Sequence, residues 1–263
     1  MLGVSHALSG AAVGLAVAGF GPGSLGTQST TGSVLTFAGV TAGAALLPDL
    51  DHPSSIATKR FSVASLLASR LVRPLSGLAY DLTRSDRDRG TGKHRGLTHT
   101  ILGAALLGAA VNLASVAVGT PVLLGTLFVC LALAIKGLDA IVPGPPSLII
   151  AAALTVAVER YLPGGTAGTV GWIGVAVTLG MLVHMVGDAL TESGAPLLWP
   201  VRIKDRRWYP VGSLRPLRFR TGGPLEAWVI APALTVAVFV LATRVVPRLD
   251  VMVAEVVTAT WGG

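Results

Sequence analysis

The stretch Thr169–Thr191, TVGWIGVAVTLGMLVHMVGDALT, is apolar for most of its length and then sets His184 and Asp188 one turn apart near its end. A helix of roughly 20 apolar residues crosses a bilayer, so Thr169–Leu190 reads as a membrane span. An ionisable residue in such a helix costs about 2.5–3.5 kcal/mol on insertion scales and usually faces a polar cavity and a partner. At i and i+4, His184 and Asp188 share one helix face. Their partners must come from elsewhere in the chain.

Composition supports a membrane setting for the whole of it. Of 263 residues, 52% are hydrophobic and only 13% charged, with a mean hydropathy of +0.70. A soluble domain carries about a quarter charged residues, so a soluble enzyme is excluded, as are a disordered chain and a coiled coil. The single cysteine, Cys130, lies in an apolar run, which excludes an internal disulfide and Cys-rich metal or iron–sulfur sites. Any metal has to be held by His and carboxylate.

Seven apolar segments are expected to be helices: about 5–20, 31–47, 97–118, 121–142, 147–162, 169–190 and 224–246. The first, second and fifth are short for a span, and the other four qualify by length. Ala16-Val17-Ala18 resembles a signal-peptide cleavage site, but no basic residue precedes it, so the first helix is expected to be retained. Between the segments lie two polar loops, 52–96 and 191–223, which hold nine and seven of the 20 basic residues. The positive-inside rule puts both loops in the cytoplasm, and the four spans between them give the parity this requires. That places the N-terminus inside. Within the first loop, Phe61–Tyr80 mixes Leu, Val and Ala with Arg70 and Arg73 and reads as an amphipathic helix on the membrane surface; Ser85–Lys93 beside it reads as a mobile charged stretch. The expected fold is all-α: a polytopic transmembrane helical bundle of about seven apolar helices plus an amphipathic surface helix, one membrane-embedded domain over 1–263.

On this topology all five histidines, His6, His52, His94, His99 and His184, fall near cytoplasmic ends of spans. Asp49 and Asp51 close the second span, Asp188 the sixth, and Glu226 begins the seventh. Taken singly, each has a plain structural reading: a polar helix exit for Asp49-Leu50-Asp51-His52, a hydrogen-bonded pair for His184 and Asp188, a dipole-favoured carboxylate for Glu226. Lys136 and Asp139 read as an ion pair and stay outside the site. Gathered at one depth, the histidines and paired acids point to a metal site, and His with carboxylate suits zinc, manganese or iron. Asp49 and Asp51 point the same way if the segment after Pro48 is extended. Thr98 is expected to cap the third helix.

The runs Pro48-Asp49-Leu50-Asp51-His52, His94-Arg95-Gly96-Leu97-Thr98-His99 and His184-Met185-Val186-Gly187-Asp188-Ala189-Leu190-Thr191 together resemble the YdjM-type family of membrane-bound metal-dependent hydrolases. So do Gly194-Ala195-Pro196-Leu197-Leu198-Trp199-Pro200, Thr221-Gly222-Gly223 before Glu226, and the early His6. The resemblance implies a hydrolase of the cytoplasmic membrane, and the family's name also implies association with the LexA repressor. The loop 54–93 and the segment 147–162 have no match in that pattern.

The leading expectation is metal-assisted hydrolysis at the cytoplasmic surface. One or two divalent ions, zinc first and manganese or iron next, are held by a subset of His6, Asp49, Asp51, His52, His94, His99, His184 and Asp188. Asp49 or Asp51 is the candidate general base, Arg95 a clamp for an anionic oxygen, and Thr98, Thr191 and Glu226 supporting residues. The basic loops attract anionic headgroups, which favours a lipid or lipid-linked phosphoester as substrate. Membrane lipids are the expected partners, with a protein partner open and no direct nucleic-acid binding. Two other readings compete. An ion or proton pathway needs polar groups through the whole depth, whereas the outer halves of the spans carry only Asn112 and small hydroxyl residues. A membrane-bound regulatory scaffold needs no metal, so metal content separates it from a hydrolase.

Overall fold

The computed structural model describes residues 1–21, 30–51, 62–89, 92, 95–138 and 146–246. The apolar helices among them are α1 (Gly3–Phe20), α2 (Thr31–Ala44), α4 (Ile101–Val118), α5 (Thr120–Gly137), α6 (Pro146–Tyr161), α7 (Ile173–Ala189) and α8 (Ala231–Val245), with α3 (Ser62–Thr83) as the amphipathic one. The fold is an all-α bundle. Local chemistry starts and stops these helices. The Thr30 hydroxyl accepts from Ser33 N at 3.1 Å to cap α2, and Thr100 does the same for Gly103 N at 2.9 Å to cap α4. Gly119, at φ +79°, turns the chain between α4 and α5, and Pro121 opens α5.

Thr98, expected as the cap of the third segment, is not one. A 3₁₀ turn over Leu97–His99 precedes α4, so the capping position falls on Thr100 and frees the Thr98 hydroxyl for another partner. A second 3₁₀ turn, Pro48–Asp51, replaces the expected extended segment after α2. The sixth segment loses its beginning to a 3₁₀ turn at Gly165–Thr169, leaving α7 at 17 residues. Among the described residues, five helical stretches are long and apolar enough to cross a membrane: Gly3–Phe20, Thr31–Asp51, Ile101–Val118, Thr120–Gly137 and Glu226–Val245. The first and second segments, expected to be short, are among them.

Helices α2 and α7 sit at the centre, with α1, α4 and α5 around them. Their shared core joins Phe37, Val40 and Ala44 to Ile173, Met181 and Met185, with Leu15, Leu123 and Leu127 from the neighbours. Phe37 meets the Trp172 ring at 5.4 Å. In hydrocarbon there is no water to expel, so close packing between small residues has to hold helices together. Gly14 lets α1 approach α2 so closely that a Cβ there would lie 2.7 Å from Ala38 Cα. At Gly43 a Cβ would run into the Cys130 carbonyl oxygen of α5. Helices α4 and α8 turn apolar residues outward, among them Leu113, Val116, Val236 and Phe239, the surface a bilayer would cover.

Helix α3 has two faces. Leu75, Leu78 and Leu82 project outward while Ser76 and Tyr80 are buried against the rest of the protein. The turn after it is ordered at Ser85–Asp88, unlike the mobile stretch expected there, because the Asp88 carboxylate accepts from Ser85 N and its hydroxyl and from the backbone amides of Arg207 and Trp208. Those bonds tie the first loop to the second. Trp199 and Trp208 stack at 5.0 Å, and both indoles donate to Thr83 Oγ1. The second loop holds itself with bridges between Thr191 and Phe219 and between Ala195 and Val211. Lys204 and Asp205, both at positive φ, form the tight turn between Ile203 and Arg206.

Candidate metal centre

One end of the bundle collects the ionisable side chains. His6 comes from the first turns of α1, Asp49 and Asp51 from the 3₁₀ turn after α2, His99 from the 3₁₀ turn before α4, and His184 and Asp188 from the end of α7. His6, His99, His184 and Asp51 are fully buried and Asp188 nearly so. Asp49 differs, with its side chain 23% exposed.

His184 is the hub. Its Nδ1 lies 2.8 Å from the Ala45 carbonyl oxygen, which can only accept, so Nδ1 carries the proton and Nε2 presents a lone pair. Around that Nε2 stand His99 Nε2 at 3.2 Å, Asp188 Oδ2 at 3.7 Å and Asp49 Oδ1 at 3.9 Å. The His6 ring stacks on the His184 ring at 3.8 Å, and the His99 ring meets it edge-on at 5.0 Å. His99 in turn has its Nδ1 3.1 Å from Thr98 Oγ1 and 3.5 Å from Asp51 Oδ2. The Thr98 hydroxyl, released from capping, donates to Asp51 Oδ2 at 2.8 Å, and Arg95 N donates to the same oxygen at 3.1 Å.

Among the described residues, two triads can bring one donor atom each within 4.8 Å of one another: His6, His184 and Asp188, and Asp49, His99 and His184. They share His184, whose second nitrogen is committed to Ala45, so both triads meet at a single imidazole nitrogen. The donor set fits a divalent metal. Both ring nitrogens of His6 are buried without a hydrogen-bond partner, and its Nε2 reaches Asp188 Oδ1 only at 3.4 Å. A buried polar atom left in that state is costly, and a cation is the simplest group that would satisfy it together with the facing His99 and His184 nitrogens.

Asp188 is shared widely. Its Oδ1 accepts from the Met1 amino group at 2.8 Å, and its Oδ2 pairs with Arg95 Nη2 at 3.1 Å. Arg95 also donates from Nη1 to the Gly194 carbonyl at 2.7 Å, anchoring the site to the second loop. It does this from a strained backbone, φ +52°, a region that L-residues other than Asn, Asp and His rarely occupy.

Of the residues singled out by sequence, His6, Asp49, Asp51, Arg95, Thr98, His99, His184 and Asp188 come together. Thr191 does not face the cluster: its hydroxyl donates to the Asp188 carbonyl at 2.7 Å and finishes α7. Glu226 is buried apart from it, where Oε1 accepts from Leu2 N and Oε2 from Gly222 N, joining α1 to the start of the last helix. His52, His94 and Asp139 lie outside the described residues. Sequence reasoning missed Ala45 and Gly194, which act through backbone carbonyls and carry no side-chain signal. It also passed over Asp88, which joins the loops; an acid amid Arg84, Arg87 and Arg89 looks like ordinary surface charge.

A family model described as YdjM inner membrane protein matches residues 1–248, and the chain belongs to that family. The family and the apolar helices together show a membrane protein. No curated protein matches, and no solved structure matches.

Proposed function

We propose that this inner membrane protein is a multi-pass, metal-dependent hydrolase whose His/Asp centre lies at the cytoplasmic face and acts on a lipid or lipid-linked phosphoester. The observation that carries the reading is the pair of imidazole nitrogens, His99 Nε2 and His184 Nε2, that face each other at 3.2 Å with acceptors fixing the opposite side of each ring. Histidines that ligate metals are oriented in this way by carbonyls and carboxylates behind them. His6, His99, His184 and Asp188 would hold the ion, zinc best suiting such donors. When bound, a divalent cation supplies Lewis acidity and makes water a usable nucleophile near neutral pH.

The protein's own groups divide the remaining work. Asp51, buried and engaged by Thr98, Arg95 N and His99, holds the His99 ring in place. Asp49, open to solvent and beside His184, is placed to take a proton from water. Arg95 steadies Asp188 and offers a guanidinium to an anionic oxygen. The bias of basic residues toward the two loops supports a cytoplasmic site. The polar side chains collect at one end of the bundle, which favours surface chemistry over a path through it.

Metal analysis of detergent-purified protein tests this, with His184→Ala and Asp49→Ala alongside. The expected result is near-stoichiometric zinc, manganese or iron in wild type, lost in His184→Ala, followed by hydrolysis of lipid phosphoesters. Folded wild type that takes up no metal after reconstitution overturns the reading in favour of a membrane-bound scaffold.

A further inference from the structure

Beside the His/Asp cluster, between the two loops, lies a cavity of about 180 Å³, many times the roughly 10–15 Å³ a single water needs. Its lining includes Tyr80 from α3, Arg89 and Arg95 from the first loop, and Gly194 and Arg206 from the second. Three arginines thus line one small space. Three polar atoms of the lining residues are buried and have no hydrogen-bond partner: Tyr80 Oη, Arg95 Nε and Arg206 Nε. The Tyr80 residue is only 2% exposed, so water cannot readily serve its hydroxyl. Asp88 Oδ1 stands 3.7 Å from Arg206 Nε, and Asp88 is already occupied by four donors from Ser85, Arg207 and Trp208.

All three unpartnered atoms are donors once the Tyr80 proton is counted, and it is retained. Burial, then the nearby Asp88 charge, raises the Tyr80 pKa above its ordinary value. Donors without acceptors, with surplus positive charge, call for an anion with several oxygens. Arg95 connects this space to the cluster, since it lines the cavity while its Nη2 is 3.1 Å from Asp188 Oδ2.

We infer that this cavity is a phosphate subsite, in which Tyr80, Arg95 and Arg206 bind a phosphate group and hold it against the His/Asp centre. As the headgroup-binding half of an active site the subsite rests on the hydrolase reading; as an anion site it stands on its own residues. The phosphate can belong to a phospholipid headgroup or to a soluble phosphoester. Both present the same oxygens, and the outward leucines of α3, on the helix that also supplies Tyr80, put the cavity close to a bilayer surface.

The test is titration of inorganic phosphate into the full-length protein, metal-loaded and chelated, in phosphatidylcholine nanodiscs, with ³¹P NMR as the readout. Tyr80→Phe, Arg206→Gln and His184→Ala are compared with Arg202→Gln, which removes an equal charge from an exposed position. Saturable binding near or below about 1 mM is expected, weakened about tenfold by Tyr80→Phe or Arg206→Gln and unchanged by Arg202→Gln. It persists after chelation and in His184→Ala, so a missing metal centre would not hide it. Competition by phosphatidic acid in the nanodisc assigns the site to a lipid headgroup; its absence assigns a soluble phosphoester, and both support the subsite. No saturable binding in either state overturns it. So does binding that vanishes on chelation, or that responds to Tyr80→Phe and Arg206→Gln no more than to Arg202→Gln.

Discussion

His99 and His184 point their Nε2 atoms at one another across 3.2 Å, although they come from turns 85 positions apart. With Nδ1 of His184 holding its proton for Ala45, two lone pairs at that distance repel unless a cation or a proton lies between them. Replacing either imidazole with alanine is expected to take metal content from near-stoichiometric to under about a tenth. His99→Ala and His184→Ala should still insert into membranes, because insertion follows from the long apolar helices and not from these rings. Retention of metal by both variants, measured by elemental analysis, would remove the shared centre.

Asp51 and Asp49 should separate in their effects. Asp51→Asn or Thr98→Val loosens the support of His99, and loss of such outer partners typically lowers metal affinity 10–100-fold. Asp49→Asn removes a general base and is expected to lower kcat by about 10²–10⁴ with metal still bound. Competition with a fluorescent chelator reads the first effect and turnover of a lipid phosphoester the second. Equal loss of metal in both variants would contradict the division.

Arg95 combines strain with charge, so two substitutions should pull apart. Arg95→Gly relaxes a φ of +52° and is expected to keep or slightly raise the Tm while abolishing turnover. Arg95→Ala loses the guanidinium and keeps the strain, so it should lose turnover and also unfold at lower temperature. Thermal unfolding in detergent, run beside the activity assay, distinguishes them.

The contact between the loops should be sensitive to acid. Burial alone would raise the Asp88 pKa, but Ser85 N and its hydroxyl, with the Trp208 and Arg207 amides, outweigh it and hold the carboxyl below its usual value. A group whose folded pKa is depressed contributes stability above its unfolded pKa, and that contribution is lost as pH falls through the folded value. The junction is therefore expected intact at neutral pH and through pH 5, and to open below about pH 4. Emission from Trp199 and Trp208 should shift to the red over that window. In Asp88→Asn the shift should already be present at pH 7.

Close helix approach gives a prediction on stability alone. Gly43→Val pushes a side chain into the Cys130 carbonyl of the neighbouring helix, and such overpacking costs about 1–3 kcal/mol or more. A lowered Tm with partial loss of metal is expected, since Asp49 and Asp51 follow six and eight residues later in the chain. A Tm equal to wild type would mean that α2 and α5 are not packed as described.

Much of this was legible in the order of residues. Long apolar runs identify the seven helices because a helix pairs its own backbone groups within hydrocarbon, and the mixture of Leu, Val and Ala with Arg70 and Arg73 over 61–80 marks the surface helix. The cluster could be inferred because charge bias and parity put His6, Asp49, His99 and Asp188 at one depth. Finer features were hidden by competition between neighbours. Thr98 and Thr100 are both competent caps, and only the tertiary position of Asp51 decides that Thr98 turns away. The 3₁₀ turn at Pro48–Asp51 has no periodicity to reveal it, and Tyr80 meets Arg206 only because two loops more than a hundred residues apart fold together.

The distribution of the site along the chain has a consequence for how the protein is made. Its residues run from His6 in the first helix to Asp188 at the close of α7. During synthesis four apolar helices and both 3₁₀ turns can be in the membrane while the hub imidazole is still inside the ribosome. The chain therefore acquires a complete donor set late, in one step, when α7 inserts between α2 and α4. A chain stopped before residue 184 lacks most of the central helix α7 and, with it, the imidazole that both triads share.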